Sequence, residues 1–193
     1  MIIKSVPLNN AAVIERKPIQ DSRGYFARSF CKKTLAEYGI AFDVAQASVA
    51  FNQYQNTLRG MHFQRPPFCE DKIISCVSGA IYDVIIDLNK ESSTYGECFG
   101  ITLTEDNNLS LVVPKGFAHG YLTLQPNTSI EYLVSEYYTP SHESGIRWND
   151  TAFLLEWPIT DVSQLIISNK DKQWNDFDLD KNGLFLSGGN SHG

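Results

Sequence analysis

The densest chemistry in the chain lies in Leu58-Arg59-Gly60-Met61-His62-Phe63-Gln64, followed closely by Glu70 and Lys72. A histidine between cations suits proton abstraction next to a carbonyl. The imidazole side chain titrates near neutrality and can take a carbon-bound proton, while Arg59 or Lys72 can hold the negative charge that grows on the oxygen. The plain alternative for a single histidine among strands is a hydrogen-bonded structural residue. Asp83, Asp87 and Asp171 are candidates to orient such a base, because a carboxylate on one ring nitrogen fixes the tautomer and raises the basicity of the other. Asp87, near a strand end, reads better as a turn residue. Tyr132 is a candidate acid, with a packed core tyrosine as its alternative. His62, Gln64, Glu70 and His119 raise a metal-dependent oxygenase or isomerase as a different class. Since His62-Phe63-Gln64 offers an amide where a second histidine is wanted, no metal is expected.

These residues need elements to hold them. Short apolar stretches rich in Ile, Val, Tyr and Phe recur between Gly, Pro, Asn and Asp clusters, the pattern of many short strands joined by turns. An all-β barrel or sandwich with a few short helices follows. In Ile81 to Leu88, Tyr82, Val84, Ile86 and Leu88 line one face, and Ile81, Asp83, Ile85 and Asp87 the other. Ile130 to Tyr137 puts Ile130, Tyr132, Val134 and Glu136 on one side. Such mixed faces suit a ligand-holding barrel. Lys32 to Tyr38 is the best helix, ended by Gly39. Pro114 and Gly116 punctuate the sequence before Phe117, so His119 is expected just past a strand end.

With 193 residues, one domain over residues 1–180 is expected, followed by a disordered tail at 181–193 that includes Ser187-Gly188-Gly189-Asn190-Ser191-His192-Gly193. A net charge of -6 and the lack of a Lys/Arg run argue against nucleic-acid binding. The start has no long apolar segment and no stretch reaches bilayer length, so no membrane partner and a cytoplasmic location are expected. Cys31, Cys69, Cys76 and Cys98 form no Cys-x-x-Cys pair and read as reduced thiols.

Several motifs, taken in order, resemble the dTDP-4-dehydrorhamnose 3,5-epimerase family within the cupin barrels. They are Asp21-Ser22-Arg23-Gly24-Tyr25-Phe26, Leu58 through Gln64, Gly79-Ala80-Ile81-Tyr82-Asp83-Val84, Pro114-Lys115-Gly116-Phe117-Ala118-His119-Gly120, Gly145-Ile146-Arg147-Trp148-Asn149-Asp150, Trp157-Pro158 and Ser168-Asn169-Lys170-Asp171. The likeness runs from about Lys17 to Asp171. It implies a cupin-type jelly-roll β-barrel, a nucleotide-sugar substrate, no metal or organic cofactor, and a homodimer whose subunits exchange an N-terminal strand. It also implies roles. His62 resembles the family's base paired with Asp171, Tyr132 its acid, Lys72 and Arg59 the residues around the C4 oxygen and the diphosphate, and Arg23 a further diphosphate contact. His119 and Asp83 fall on pocket positions.

The chain departs from the family where the nucleotide base is read. Thymidine-binding members carry Glu two residues after the Phe of Arg-Gly-x-Phe, and a Gln-x-Asn pair further on; this chain has Arg28 and Gln46-Ala47-Ser48. Thymine offers an N3 hydrogen to a carboxylate, whereas cytosine has a bare N3 that an arginine can serve. The expectation is therefore a CDP-linked 3,6-dideoxy-4-hexulose inverted at C5, with double epimerisation of a dTDP-linked 4-keto-6-deoxyglucose as the alternative. Tyr132-Leu133 stands where the family has Tyr-Lys. A non-catalytic sugar-nucleotide-binding barrel is a third class, with no use for an acid and a base on opposite faces.

Overall fold

The computed structural model describes residues 1–186. Two antiparallel sheets face each other as the halves of a cupin-type jelly-roll barrel. The first runs, in spatial order, β1 (Ile2–Ser5), β2 (Ala12–Glu15), β10 (Leu109–Val113), β7 (Lys72–Ser78), β12 (Thr128–Val134) and β5 (Gln46–Asn52). The second runs β13 (Glu143–Gly145), β6 (Thr57–Gln64), β11 (Phe117–Thr123), β8 (Ala80–Asp87) and β9 (Cys98–Thr104), with β14 (Ile166–Ile167) parallel to β6. A separate hairpin pairs β3 (Ile19–Asp21) with β4 (Gly24–Phe26). The helices are short: α1 (Lys32–Glu37), α2 (Asn169–Lys172) and α3 (Leu179–Asn182). None of the described helices is long and apolar enough to cross a membrane.

Strand alternation sorts side chains into three apolar layers. Val13, Ile74, Cys76, Leu111 and Ile130 from the first sheet meet Ile81, Ile85, Leu103 and Phe117 from the second, and fill the space between them. Val84, Ile86 and Leu88 point the other way, under Ile146, Phe153, Phe177 and Leu184 of the C-terminal segment. Ile14, Ile73 and Val112 pack outward beneath Leu35 of α1 and Phe42. The face assignment read from Ile81 to Leu88 is thus the one observed. Helix α1 ends with Gly39 at φ +77°, its N–H and that of Ile40 bonding back to Ala36 and Leu35 at 3.0 Å.

Two expectations need correction. His119 is not past a strand end but inside β11, because the Pro114–Phe117 turn closes tightly, Phe117 N–H bonding Pro114 O at 3.2 Å, and the strand starts at once. Nor does the packed chain stop at residue 180. Asp178 caps α3 by accepting from Asp180 and Lys181, Leu184 pairs with Asn89, and its side chain is buried in the outer layer of the second sheet. The rest of the expected tail, Ser187 to Gly193, lies outside the described residues.

Where β6 crosses β11, the two backbones come unusually close. A Cβ on Gly60 (φ +115°) would lie 2.6 Å from Gly120 Cα, and one on Gly120 would lie 2.7 Å from Met61 Sδ. Only glycine fits both places. Gly120→Ala is accordingly expected to destabilise the protein by roughly 1–3 kcal/mol through overpacking, read from the urea midpoint at unchanged m-value.

Candidate active site

The crossing at Gly60 also sets the site. His119 pairs with His62 but Tyr121 pairs with Arg59, so β6 carries one more residue than β11 across this stretch. In a regular strand, positions 59 and 62 would face opposite ways. The bulge turns Arg59 and His62 into the same cleft, an open space of about 460 Å³ also lined by Ile167, Ser168, Lys170 and Asp171.

His62 Nε2 lies 2.6 Å from Asp171 Oδ1. The carboxylate is nearly sealed, at 5% exposed, while the imidazole stays one-third open at 34%. Ser168 accepts from the Asp171 backbone N–H at 3.0 Å, and the carboxylate's other oxygen takes the Gly60 N–H at 3.5 Å. Burial pushes the Asp171 carboxyl up, but the His62 hydrogen bond and charge, with the Ser168 and Gly60 contacts, outweigh it and hold it below its ordinary value. A lowered folded-state pKa stabilises the fold above the unfolded value of about 3.9 and loses that contribution as pH falls through the folded value. The stability gap between wild type and Asp171→Asn is therefore expected to shrink in acid as pH falls below about 4, measured as Tm against pH.

Lys72 and Tyr132 come from the opposite sheet. Lys72 begins the inward row that continues through Ile74 and Cys76, and Tyr132 pairs with Ile74 one strand over. Lys72 Nζ is ion-paired to Glu70 Oε1 at 3.0 Å, with both side chains about nine-tenths buried, and lies 3.5 Å from the His62 carbonyl. The second Glu70 oxygen accepts from Gln64 Nε2. Tyr132 meets the His119 ring edge-on at 6.1 Å, and burial pushes its hydroxyl well above the ordinary tyrosine value. His119 is not free either. Its Nε2 lies 2.7 Å from Asp83 Oδ1, while Asp83 Oδ2, fully buried, has no hydrogen-bond partner. Asp83 thus serves His119, Asp171 serves His62, and Asp87 holds a turn through Asn89, Ser92 and Thr94.

Gln64 spends its amide on Glu70, Phe68 O and Tyr137 O, and its carbonyl on the Thr139 N–H. It ties β6 to two loops. Among the described residues, no group of three or more His, Cys, Asp and Glu is placed to hold a metal ion.

The remaining expected contacts are Arg23, Arg28, Gln46 and Ser48. Arg23 is 87% exposed on the β3–β4 hairpin and paired with Asp21 at 2.6 Å. Arg28 is exposed between β4 and α1. Ser48 is exposed on the edge strand β5, opposite Tyr132, and Gln46 Oε1 accepts the Tyr138 N–H at 2.9 Å.

Sequence reading passed over a second group at the mouth. Tyr138 donates to Glu143 at 2.6 Å, and Lys170 pairs with the same carboxylate at 2.6 Å. Burial alone would push the Glu143 carboxyl up, but Lys170, Tyr138 and the nearby His62 bring it below its ordinary value. Lys170 was in view only as the neighbour of Asp171. Glu143 reaches the site because β13 pairs with β6, putting Gly145 opposite His62, a pairing across some eighty positions that no local pattern marks.

The chain is similar to known proteins. The family model described as dTDP-4-dehydrorhamnose 3,5-epimerase matches residues 5–178. The dTDP-4-dehydrorhamnose 3,5-epimerase of Methanothermobacter thermautotrophicus is 38% identical over 167 residues, 86% of this chain and 89% of its own length. That of Salmonella typhimurium is 36% identical over 166 residues, covering 86% and 90%. The crystal structure of the Bacillus anthracis enzyme, with TDP and PPi bound, superposes with a TM-score of 0.86 at 39% identity, covering 91% of this chain and 98% of that one. The chain belongs to the dTDP-4-dehydrorhamnose 3,5-epimerase family and is an isomerase, an epimerase of sugar nucleotides.

Proposed function

We propose that the protein inverts C3 and C5 of a dTDP-linked 4-keto-6-deoxyhexose without a metal or organic cofactor. The observation that carries this is His62 of one sheet, paired with Asp171 of α2, with Tyr132 and Lys72 on the other sheet. The C4 ketone acidifies the hydrogens on its neighbouring carbons. His62 removes one as a proton, Asp171 stabilising the imidazolium that results. Lys72 holds the enolate oxygen, and Tyr132 returns a proton from the opposite face, leaving the carbon inverted. Arg59 serves the diphosphate.

The thymidine nucleotide is favoured over cytidine. The relatives compared above are named for dTDP substrates, and one held TDP. The cytidine reading rests on Arg28, which is exposed, and on Gln46, whose side-chain oxygen is already engaged by Tyr138. It survives as a second reading because Arg28 can donate to cytosine N3. Calorimetric titration separates them: dTDP is expected to bind at least about tenfold more tightly than CDP, a gap of roughly 1.4 kcal/mol. The reverse order would favour the CDP-linked substrate.

We also infer a homodimer. The hairpin exposes Ile19, Tyr25 and Phe26, the edge strand β5 exposes Val49 and Phe51, and among the described residues β5 has only one strand neighbour. A hairpin docked across the partner's edge covers both apolar sets and carries Arg23 to the partner's cleft. Light scattering is expected to give twice the chain mass, and Phe26→Asp to give monomers with weaker substrate binding. A wild-type monomer at micromolar concentration would overturn this arrangement. Four free cysteines, three of them with thiols pushed up by burial to about 11, suit a reducing cytoplasm.

A further inference from the structure

We propose that Tyr121 is a positioning residue for the acid Tyr132, the middle of a chain Tyr132–Tyr121–Asn52–Arg59 that aims the acid and steadies the phenolate it becomes. This rests on the epimerase reading above. Tyr121 is 1% exposed, and its hydroxyl donates to Asn52 Oδ1 at 3.2 Å. The same oxygen accepts from Arg59 Nε at 2.9 Å, and the Asn52 amide donates to Thr128 O at 3.3 Å, which fixes the orientation of the carboxamide. Having given its one hydrogen to Asn52, the Tyr121 oxygen is left as an acceptor, and we assign it the hydroxyl of Tyr132, whose ring packs against the same core cluster. Both rings flank His119, at 6.4 and 6.1 Å.

The chain answers a difficulty in the chemistry. A phenol pushed up by burial is a reluctant acid, because its anion would form in a poorly solvated place. When Tyr132 gives up its proton, the O–H bond breaks, a C–H bond forms at the enolate carbon, and the electron pair stays on the phenolate oxygen. Tyr121 then turns its hydrogen from Asn52 to that oxygen, as a donor already in place. A solvent proton later restores Tyr132, and nothing is oxidised or reduced. Asn52 keeps Arg59 throughout, so the seat of the diphosphate and the acid share one carboxamide.

The test separates proton removal from inversion. In heavy water, His62 can return deuterium to the face it came from, giving exchange with retention, whereas inversion requires Tyr132. Tyr121→Phe removes one hydroxyl and nothing else. With the dTDP-linked 4-keto-6-deoxy sugar, it is expected to slow inversion about tenfold, the worth of one hydrogen bond to a charged oxygen, with exchange with retention and KM both within about twofold. Tyr132→Phe should move the same ratio in the same direction and further. Asn52→Ala serves as a second variant, expected to slow inversion and also raise KM as Arg59 loses its hold. An unchanged ratio in Tyr121→Phe, or equal loss of exchange and inversion, would overturn the inference. No exchange in the wild-type enzyme would instead overturn the epimerase reading, and this inference with it.

Discussion

His62→Ala is expected to lower epimerisation and hydrogen exchange next to the ketone together, by about 10³-fold. Both need the same first step, and His119 cannot take it, being 5% exposed and bound to Asp83 at 2.7 Å. Because His62 is one-third exposed and Asp171 keeps the Ser168 and Gly60 contacts, the variant should remain folded, with a loss of about 1–2 kcal/mol for the missing hydrogen bond. Single-turnover rates and urea denaturation on one preparation check both halves. A variant that kept exchange would place the base elsewhere.

The second large effect is expected at Lys72. Lys72→Met removes the cation intended for the enolate oxygen and should lower kcat by about 10²–10³-fold. It also leaves the Glu70 carboxylate buried and without its cation, which should cost roughly 3 kcal/mol of stability. Pairing it with Glu70→Gln disentangles the two. The double variant should recover most of the stability, since Gln64 and the new amide can still bond, and recover little of the activity. If activity returned with stability, the role of Lys72 would be structural.

How much of this was legible in the sequence depends on range. Alternation from Ile81 to Leu88 gave the faces of β8 because a strand's period is local. Asp83 is one of three candidates, with Asp87 and Asp171, to orient His62; β8 pairs with β11, so it goes to His119 instead. The His62–Asp171 contact spans 109 positions, and only the family resemblance picks Asp171 out from the other candidate carboxylates. Helix α1 was legible through Gly39, while the packing of Leu184 was hidden by the polar, glycine-rich stretch after it. The shared facing of Arg59 and His62 depends on a bulge that only the register against β11 reveals. No local pattern marks Asn52 or Tyr121, and their connection to Arg59 exists only once β5, β6 and β11 are brought together.

Proton NMR of the wild-type protein in heavy water with the dTDP-linked 4-keto-6-deoxy sugar tests the account most directly. Deuterium is expected to appear at C3 and C5, the carbons flanking the ketone, with inversion at both and none of it in His62→Ala. A hydrogen signal that stays intact at both carbons, in wild-type enzyme shown to bind the nucleotide, would contradict the proposed chemistry.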